Sequence, residues 1–237
     1  MSIALFATLQ CAPGKRNEVF AKIAQVTEIA LCEPEPLTLF VCFPTPLQAP
    51  KSPDLRAESS TEEIYFFERF QSAETRKSGT PKSTPAFYNL LSEMQTAKPP
   101  LLLGAPKVEL LREQYVDFQE GIEGQVAVGS VFVQVVKNMD GKHEGDGEET
   151  NIEELIGGAD GYLLSGKWIG ETEIWKLYCW EGEKYRSDGG QEDKFKQGKG
   201  TGEETFNLVA KTGYVRKRVE ELDGTKKISH DIQILYK

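Results

Sequence analysis

Residues 63–70 read Glu63-Ile64-Tyr65-Phe66-Phe67-Glu68-Arg69-Phe70. Aromatic and β-branched side chains fit a pleated, buried strand, and none of these residues favours a turn. Ile64, Phe66, Glu68 and Phe70 are in phase, so one carboxylate shares a strand face with three large apolar side chains. A carboxylate among such neighbours is desolvated, which raises its pKa and suits it to exchange a proton near neutral pH. The plain structural alternative is a Glu paired with Arg69, Arg112 or a backbone amide.

The elements around this strand follow from periodicity. Ile3, Leu5, Ala7 and Leu9 alternate with Ala4, Phe6, Thr8 and Gln10, a strand buried on both sides that ends at Pro13-Gly14. Val19, Phe20, Ile23, Val26 and Ala30 are spaced for a helix, which Pro34 and Pro36 stop. Leu37 to Phe43 reads as a second strand, and residues 44–61, rich in Pro, Ser and Lys, as a long loop. A second helix is expected from Ser83 or Thr84 as N-cap, with Phe87, Leu90, Leu91 and Met94 on its apolar face. Lys98-Pro99-Pro100 ends it, and Lys107 to Phe118 reads as a strand. The order β-α-β-β-α-β predicts an α+β, ferredoxin-like sheet with both helices on one face. Its other face is left apolar and must be covered.

The chain of 237 residues changes character near Gly121. All 12 prolines precede that residue, and 19 of the 22 glycines lie from it onward. Two units are therefore expected, residues 1–120 and 121–237. In the second, Gln125 to Val136, Tyr162 to Trp168 and Glu173 to Trp180 read as strands, and Asn151 to Ile156 as a short helix. Residues 182–203 combine Gly and charge with little apolar content. Glu203 to Leu222 fits a helix through Phe206, Val209, Ala210 and Val219, or a hairpin through Asp223-Gly224. Lys227 to Tyr236 reads as a last strand.

Charge and composition restrict the function. With 28 Lys+Arg against 37 Asp+Glu, the net charge of −9 argues against nucleic acid and anionic membrane surfaces as partners. No apolar run approaches the ~20 residues of a membrane helix. Met1 to Cys11 reads as a strand and lacks the basic start of a signal peptide. Cys11, Cys32, Cys42 and Cys179 form no C-x-x-C pair and read as reduced thiols, which points to a cytoplasmic protein. No G-x-G-x-x-G, Walker or G-x-S-x-G pattern occurs, so neither a nucleotide cofactor nor a serine elbow is expected. His143, in Asp140-Gly141-Lys142-His143-Glu144-Gly145-Asp146, lacks calcium-loop spacing and has no second His for zinc. No metal site is expected.

Four segments carry a resemblance: Leu9 to Asn17, Cys32-Glu33-Pro34, Phe66 to Phe70, and Ser83-Thr84-Pro85-Ala86-Phe87. In order and spacing they resemble the antibiotic biosynthesis monooxygenase (ABM) family of dimeric α/β-barrel proteins, over about residues 2–117. Residues 125–237 resemble a degenerate second copy, with Ile174-Trp175-Lys176-Leu177-Tyr178 standing where Ile64-Tyr65-Phe66-Phe67-Glu68 stood. The resemblance implies a tandem, pseudo-dimeric barrel within one chain. If the second unit is instead a distinct β-rich domain, the first needs another chain and the protein is a homodimer. Two positions depart from the family pattern. Pro81 stands where a His often precedes the second helix, and Glu35 replaces the Gly of a Glu-Pro-Gly turn. The first departure argues against His-based proton transfer and against haem ligation from that helix.

The resemblance further implies cofactor-independent oxidation of a polycyclic phenol or quinol in secondary metabolism. The same scaffold also suits a non-oxidative cyclase, isomerase or dehydratase, or a protein that only binds a ligand. The expected catalytic residues are Glu68 and His230 as bases, with Arg69 and Arg112 stabilising a phenolate. His230 alternates with Ile228, Ile232 and Ile234, which turns it inward if that segment is a strand. Phe66, Phe87, Leu91, Tyr115 and Trp175 are the expected walls for a small hydrophobic, aromatic substrate.

Overall fold

The computed structural model describes residues 2–31, 36–44, 62–72, 83–118, 131–138, 162–171, 173–181, 203–215, 219–222, 225–228 and 233–236. The first part follows the expected order: β1 (Ile3–Gln10), α1 (Arg16–Leu31), β2 (Pro36–Pro44), β3 (Glu63–Phe70), α2 (Ser83–Thr96) and β4 (Lys107–Phe118). The second part supplies β5 (Val131–Asn138), β6 (Tyr162–Ile169), β7 (Ile174–Glu181), β8 (Glu203–Val215), β9 (Val219–Leu222), β10 (Thr225–Ile228) and β11 (Gln233–Tyr236).

Two expectations are resolved. For Glu203 to Leu222 the helix alternative gives way and the hairpin one holds: β8 is a long strand, and β9 pairs with β10 on either side of residues 223–224. The last predicted strand is split, because Thr225–Ile228 pairs with β9 whereas Gln233–Tyr236 pairs with β8. The strand predicted from Gln125 is described only from Val131. The predicted helix at 151–156 and the stretch 182–202 lie outside the described residues.

Eight strands close into a ring. The hydrogen-bonded order is β8-β2-β3-β1-β4-β6-β7-β5, and β5 pairs again with β8. Every pairing in the ring is antiparallel. Numbered within its own quartet, β4-β1-β3-β2 reads 4-1-3-2, and so does β8-β5-β7-β6. The two quartets meet where β4 pairs with β6 and where β8 pairs with β2.

Strand alternation separates two cores. Inside the ring lie Phe6, Phe40, Tyr65, Phe67 and Leu111 from the first quartet, with Val133, Val135, Leu164, Trp168, Trp175 and Leu177 from the second. Ring contacts cross between quartets: Phe6 to Trp175 at 4.9 Å and Phe67 to Trp168 at 5.3 Å between centroids. Outside the ring, Ala7, Leu9, Leu39, Val41, Ile64 and Phe66 pack beneath Val19, Ile23 and Ala30 of α1 and Leu91 and Met94 of α2. The helix positions chosen by spacing are therefore the ones that face the sheet.

Two glycines are set by close approach. The Trp168 ring lies over Gly166, where any side chain would overlap it. Gly213 sits opposite Phe40 on the β2–β8 seam, and a Cβ there would overlap the Leu39 carbonyl oxygen and press on Phe40 Cα at 3.0 Å. Because the obstruction is backbone, it cannot rotate away. Gly213→Ala should therefore destabilise the fold by about 1–3 kcal/mol, as overpacked cores do; urea titration followed by Trp fluorescence measures it.

Cys11, Cys42 and Cys179 are free thiols and buried. Burial, reinforced by Glu62, pushes the Cys11 thiol up to about 12, and burial also raises Cys42 and Cys179. A raised pKa leaves little thiolate at pH 8, and the thiolate is the reactive form. A disulfide reagent at that pH should label at most one cysteine per native chain and all four after denaturation, read by absorbance of the released thiolate.

Candidate functional site

A cavity of about 250 Å³ lies between the sheet and the two helices. Its sheet wall comes from Leu5 and Ala7 of β1, Leu39 of β2, Phe66, Glu68 and Phe70 of β3, and Val108 of β4. Val26, Thr27 and Ala30 of α1 and Phe87, Tyr88 and Leu91 of α2 form the other wall. The rings of Phe66 and Phe87 stack on each other, 5.1 Å apart at 22°, and close one side of it. Such an apolar wall of rings suits an aromatic guest.

Three side chains bring polar atoms to the lining. Glu68 is half-buried, and its register neighbours on both sides are apolar, Leu5 on β1 and Leu39 on β2. Thr27 is buried, and its Oγ1 donates to the Ile23 carbonyl at 3.2 Å, which leaves that oxygen able to accept. Tyr88 is 58% exposed and stands at the edge of the cavity. Val108 and Leu110, on the outer face of β4, are 49% and 53% exposed. The mouth is therefore apolar and opens toward β4.

The structure brings together Glu68, Phe66, Phe87 and Leu91. The other predicted residues are placed elsewhere. Arg69, next to Glu68 in sequence, faces the opposite side of the sheet, where its guanidinium grips Glu113 through Nε at 2.5 Å and Nη2 at 3.0 Å. Trp175 is part of the core inside the ring. Arg112 is exposed on β4, two residues beyond Leu110. Tyr115 is the register neighbour of Lys167 on β6 and does not line the cavity. His230 lies outside the described residues. Thr27 and Tyr88 were missed. Thr27 was readable as i+4 from the buried Ile23, and Tyr88 only as the neighbour of Phe87.

The Arg69–Glu113 pair is enclosed, with side chains 8% and 14% exposed. Removing one partner strands the other charge, which costs about 3–5 kcal/mol in buried pairs. Arg69→Met should therefore lower the unfolding free energy by that order. Ligand affinity of the fraction that stays folded should not change, checked by chemical denaturation alongside equilibrium binding of an aromatic probe.

This is an α+β protein with a closed antiparallel barrel and an apolar, carboxylate-bearing cavity beneath two helices. Solved structures share that fold. A protein from Fusobacterium nucleatum, provisionally named a monooxygenase, superposes with a TM-score of 0.60 at 16% identity, over 89% of this chain and 93% of its own. Another protein so named, from Lactobacillus acidophilus, gives 0.56 at 11% identity, over 88% and 95%. At such identities the likeness is one of fold. No family model matches the chain, and no curated protein matches its sequence. No helix among the described residues is long and apolar enough to cross a membrane.

Proposed function

We propose that the chain is a tandem ABM-type enzyme of secondary metabolism, with units 1–120 and 121–237 acting as the two halves of a pseudo-dimeric barrel. It oxidises a small polycyclic phenol or quinol without a cofactor, in the cytoplasm. The carrying observation is the 250 Å³ apolar cavity with Glu68 on its wall and a Phe66–Phe87 stack beside it. The repeated 4-1-3-2 strand order supports the tandem arrangement. A ring with all eight strands in one chain supports a monomer, since neither quartet needs a second copy to cover its inner face.

The volume lies near the low end for ligand pockets, which suits a guest of two or three fused rings. Glu68 takes a proton from the bound phenol, and Thr27 Oγ1 accepts a hydrogen bond from a second hydroxyl. The electron-rich anion then reduces dioxygen. One oxygen atom bonds to the activated ring carbon, and the resulting hydroperoxide loses water. The phenol O–H, the C–H of the activated ring carbon and O₂ become two C=O groups and H₂O, so the four electrons lost by the substrate are gained by dioxygen. The apolar walls exclude water from the anion and favour a neutral, planar substrate over a charged one.

The test is turnover of hydroxylated tricyclic aromatics with and without oxygen. Oxygen-dependent quinone formation in metal-chelated, flavin-free protein is expected, with Glu68→Gln lowering kcat at least about 100-fold, the scale of general base catalysis. Turnover that persists without oxygen would replace oxidation by cyclase, isomerase or dehydratase chemistry. Tight binding without turnover in either atmosphere would leave a binding protein.

A further inference from the structure

The cavity beneath the helices continues onto the protein surface along one strand. Val108 of β4 lines the cavity and is also half-exposed. Leu110 is exposed two residues further on, and it shares the outer face of β4 with Val108, because Leu111 points into the inner core. Among the described residues five large hydrophobic side chains are exposed, and three of them, Tyr88, Val108 and Leu110, stand at or beside this one mouth. Single hydrophobes are ordinary on a surface, whereas a cluster continuous with a cavity marks contact with a ligand.

Strand register gives this strip a direction. Leu110 pairs with Leu5 on β1, and Leu5 pairs with Glu68 on β3. Val108 pairs with Ala7, and Ala7 pairs with Phe66. Two lines therefore run side by side from the carboxylate and ring on β3 to the exposed side chains on β4. Ala7 is the smallest side chain of the sheet wall, and it keeps the floor low between Phe66 and Val108. Neighbouring strands lie about 4.8 Å apart, so the two ends of each line are about 10 Å apart. Two fused rings with a hydroxyl at one end cover that span. A guest whose hydroxyl meets Glu68 directs its opposite end out over Val108 and Leu110. At about 250 Å³ the cavity is smaller than most ligand pockets, so a group attached at that end lies outside, on the strip.

We infer, resting on the reading of the cavity as a phenol site, that the substrate is a fused-ring phenol with a hydrocarbon arm on the ring remote from its hydroxyl, and that Val108 and Leu110 seat this arm. Leu110 is then a specificity-determining residue, since it touches the arm and not the reacting ring. Val108 and Leu110 are about 6.6 Å apart along the strand, a length that an arm of about five or six carbons covers.

Equilibrium dialysis of the full chain under argon, where no oxidation occurs, tests it with 2-naphthol, 6-hexyl-2-naphthol and 3-hexyl-2-naphthol. The 6-hexyl compound should bind at least about tenfold tighter than 2-naphthol, less than full burial of six methylenes would give. The 3-hexyl isomer is as hydrophobic but carries its arm beside the hydroxyl, and it should gain nothing. Leu110→Ser should weaken 6-hexyl binding at least about threefold and leave 2-naphthol binding unchanged, and Leu110→Met should keep most of the gain. Melting followed by circular dichroism separates lost binding from lost folding. Equal affinity of the two hexyl isomers, or a 6-hexyl gain that survives Leu110→Ser, overturns the assignment. A dimer in sedimentation that Leu110→Ser dissociates gives the strip to a second copy of the chain and overturns it too. A Leu110-dependent gain in protein that oxidises no naphthol in air keeps the arm site and removes only the oxidation. Binding of 2-naphthol with no gain from the 6-hexyl arm removes only the arm site, and no binding of any of the three removes both.

Discussion

Strand β8 is bonded along both edges. Leu208, Val209 and Ala210 pair with Val133, Phe132 and Val131 on one side and with Pro44, Phe43 and Cys42 on the other. That double pairing turns a curled sheet into a ring. Without it, Phe6, Phe40, Phe67, Trp168 and Trp175 would line an open groove, a large apolar surface exposed to water. With it they make a shared core that neither quartet could enclose alone. The tight seam at Gly213 is the steric condition for that closure.

The closed ring fixes the position of the cavity. Once one face of β1, β2 and β3 is spent on the inner core, the other is free to bind helices, and α1 and α2 pack there through Ile23, Ala30, Leu91 and Met94. The space left between them contains Glu68. Inside the barrel, Phe6, Phe40, Phe67, Trp168 and Trp175 pack ring against ring, whereas the described cavity lies on the outer face.

Much of this was legible in the residues. In the first part each element announces its phase, because apolar side chains occur at strict intervals of two or of three and four. Elsewhere the signal failed for identifiable reasons. Phe206, Val209 and Ala210 fit helical spacing as well as strand spacing, and pairing with two neighbours decided the matter for β8. The alternation that placed Glu68 among hydrophobes also places Arg69 on the other face, so the two adjacent charges cannot act on one ligand. Trp175 shares the inward phase. Tyr115 lies where β4 pairs with β6, and it does not line the cavity. Thr27 and Tyr88 reach the cavity only because two helices converge, a relation that local patterns do not encode.

One polypeptide contributes all eight staves of this barrel. In an assembly of identical subunits a change of residue is made twice, and both chambers must tolerate it. Here a gene change touches one side only. The Phe66–Val41 pair of β3 and β2 and its lysine counterpart, Lys176 with Lys167 of β7 and β6, are what such independence permits: matching places on the two flanks carry side chains of different character.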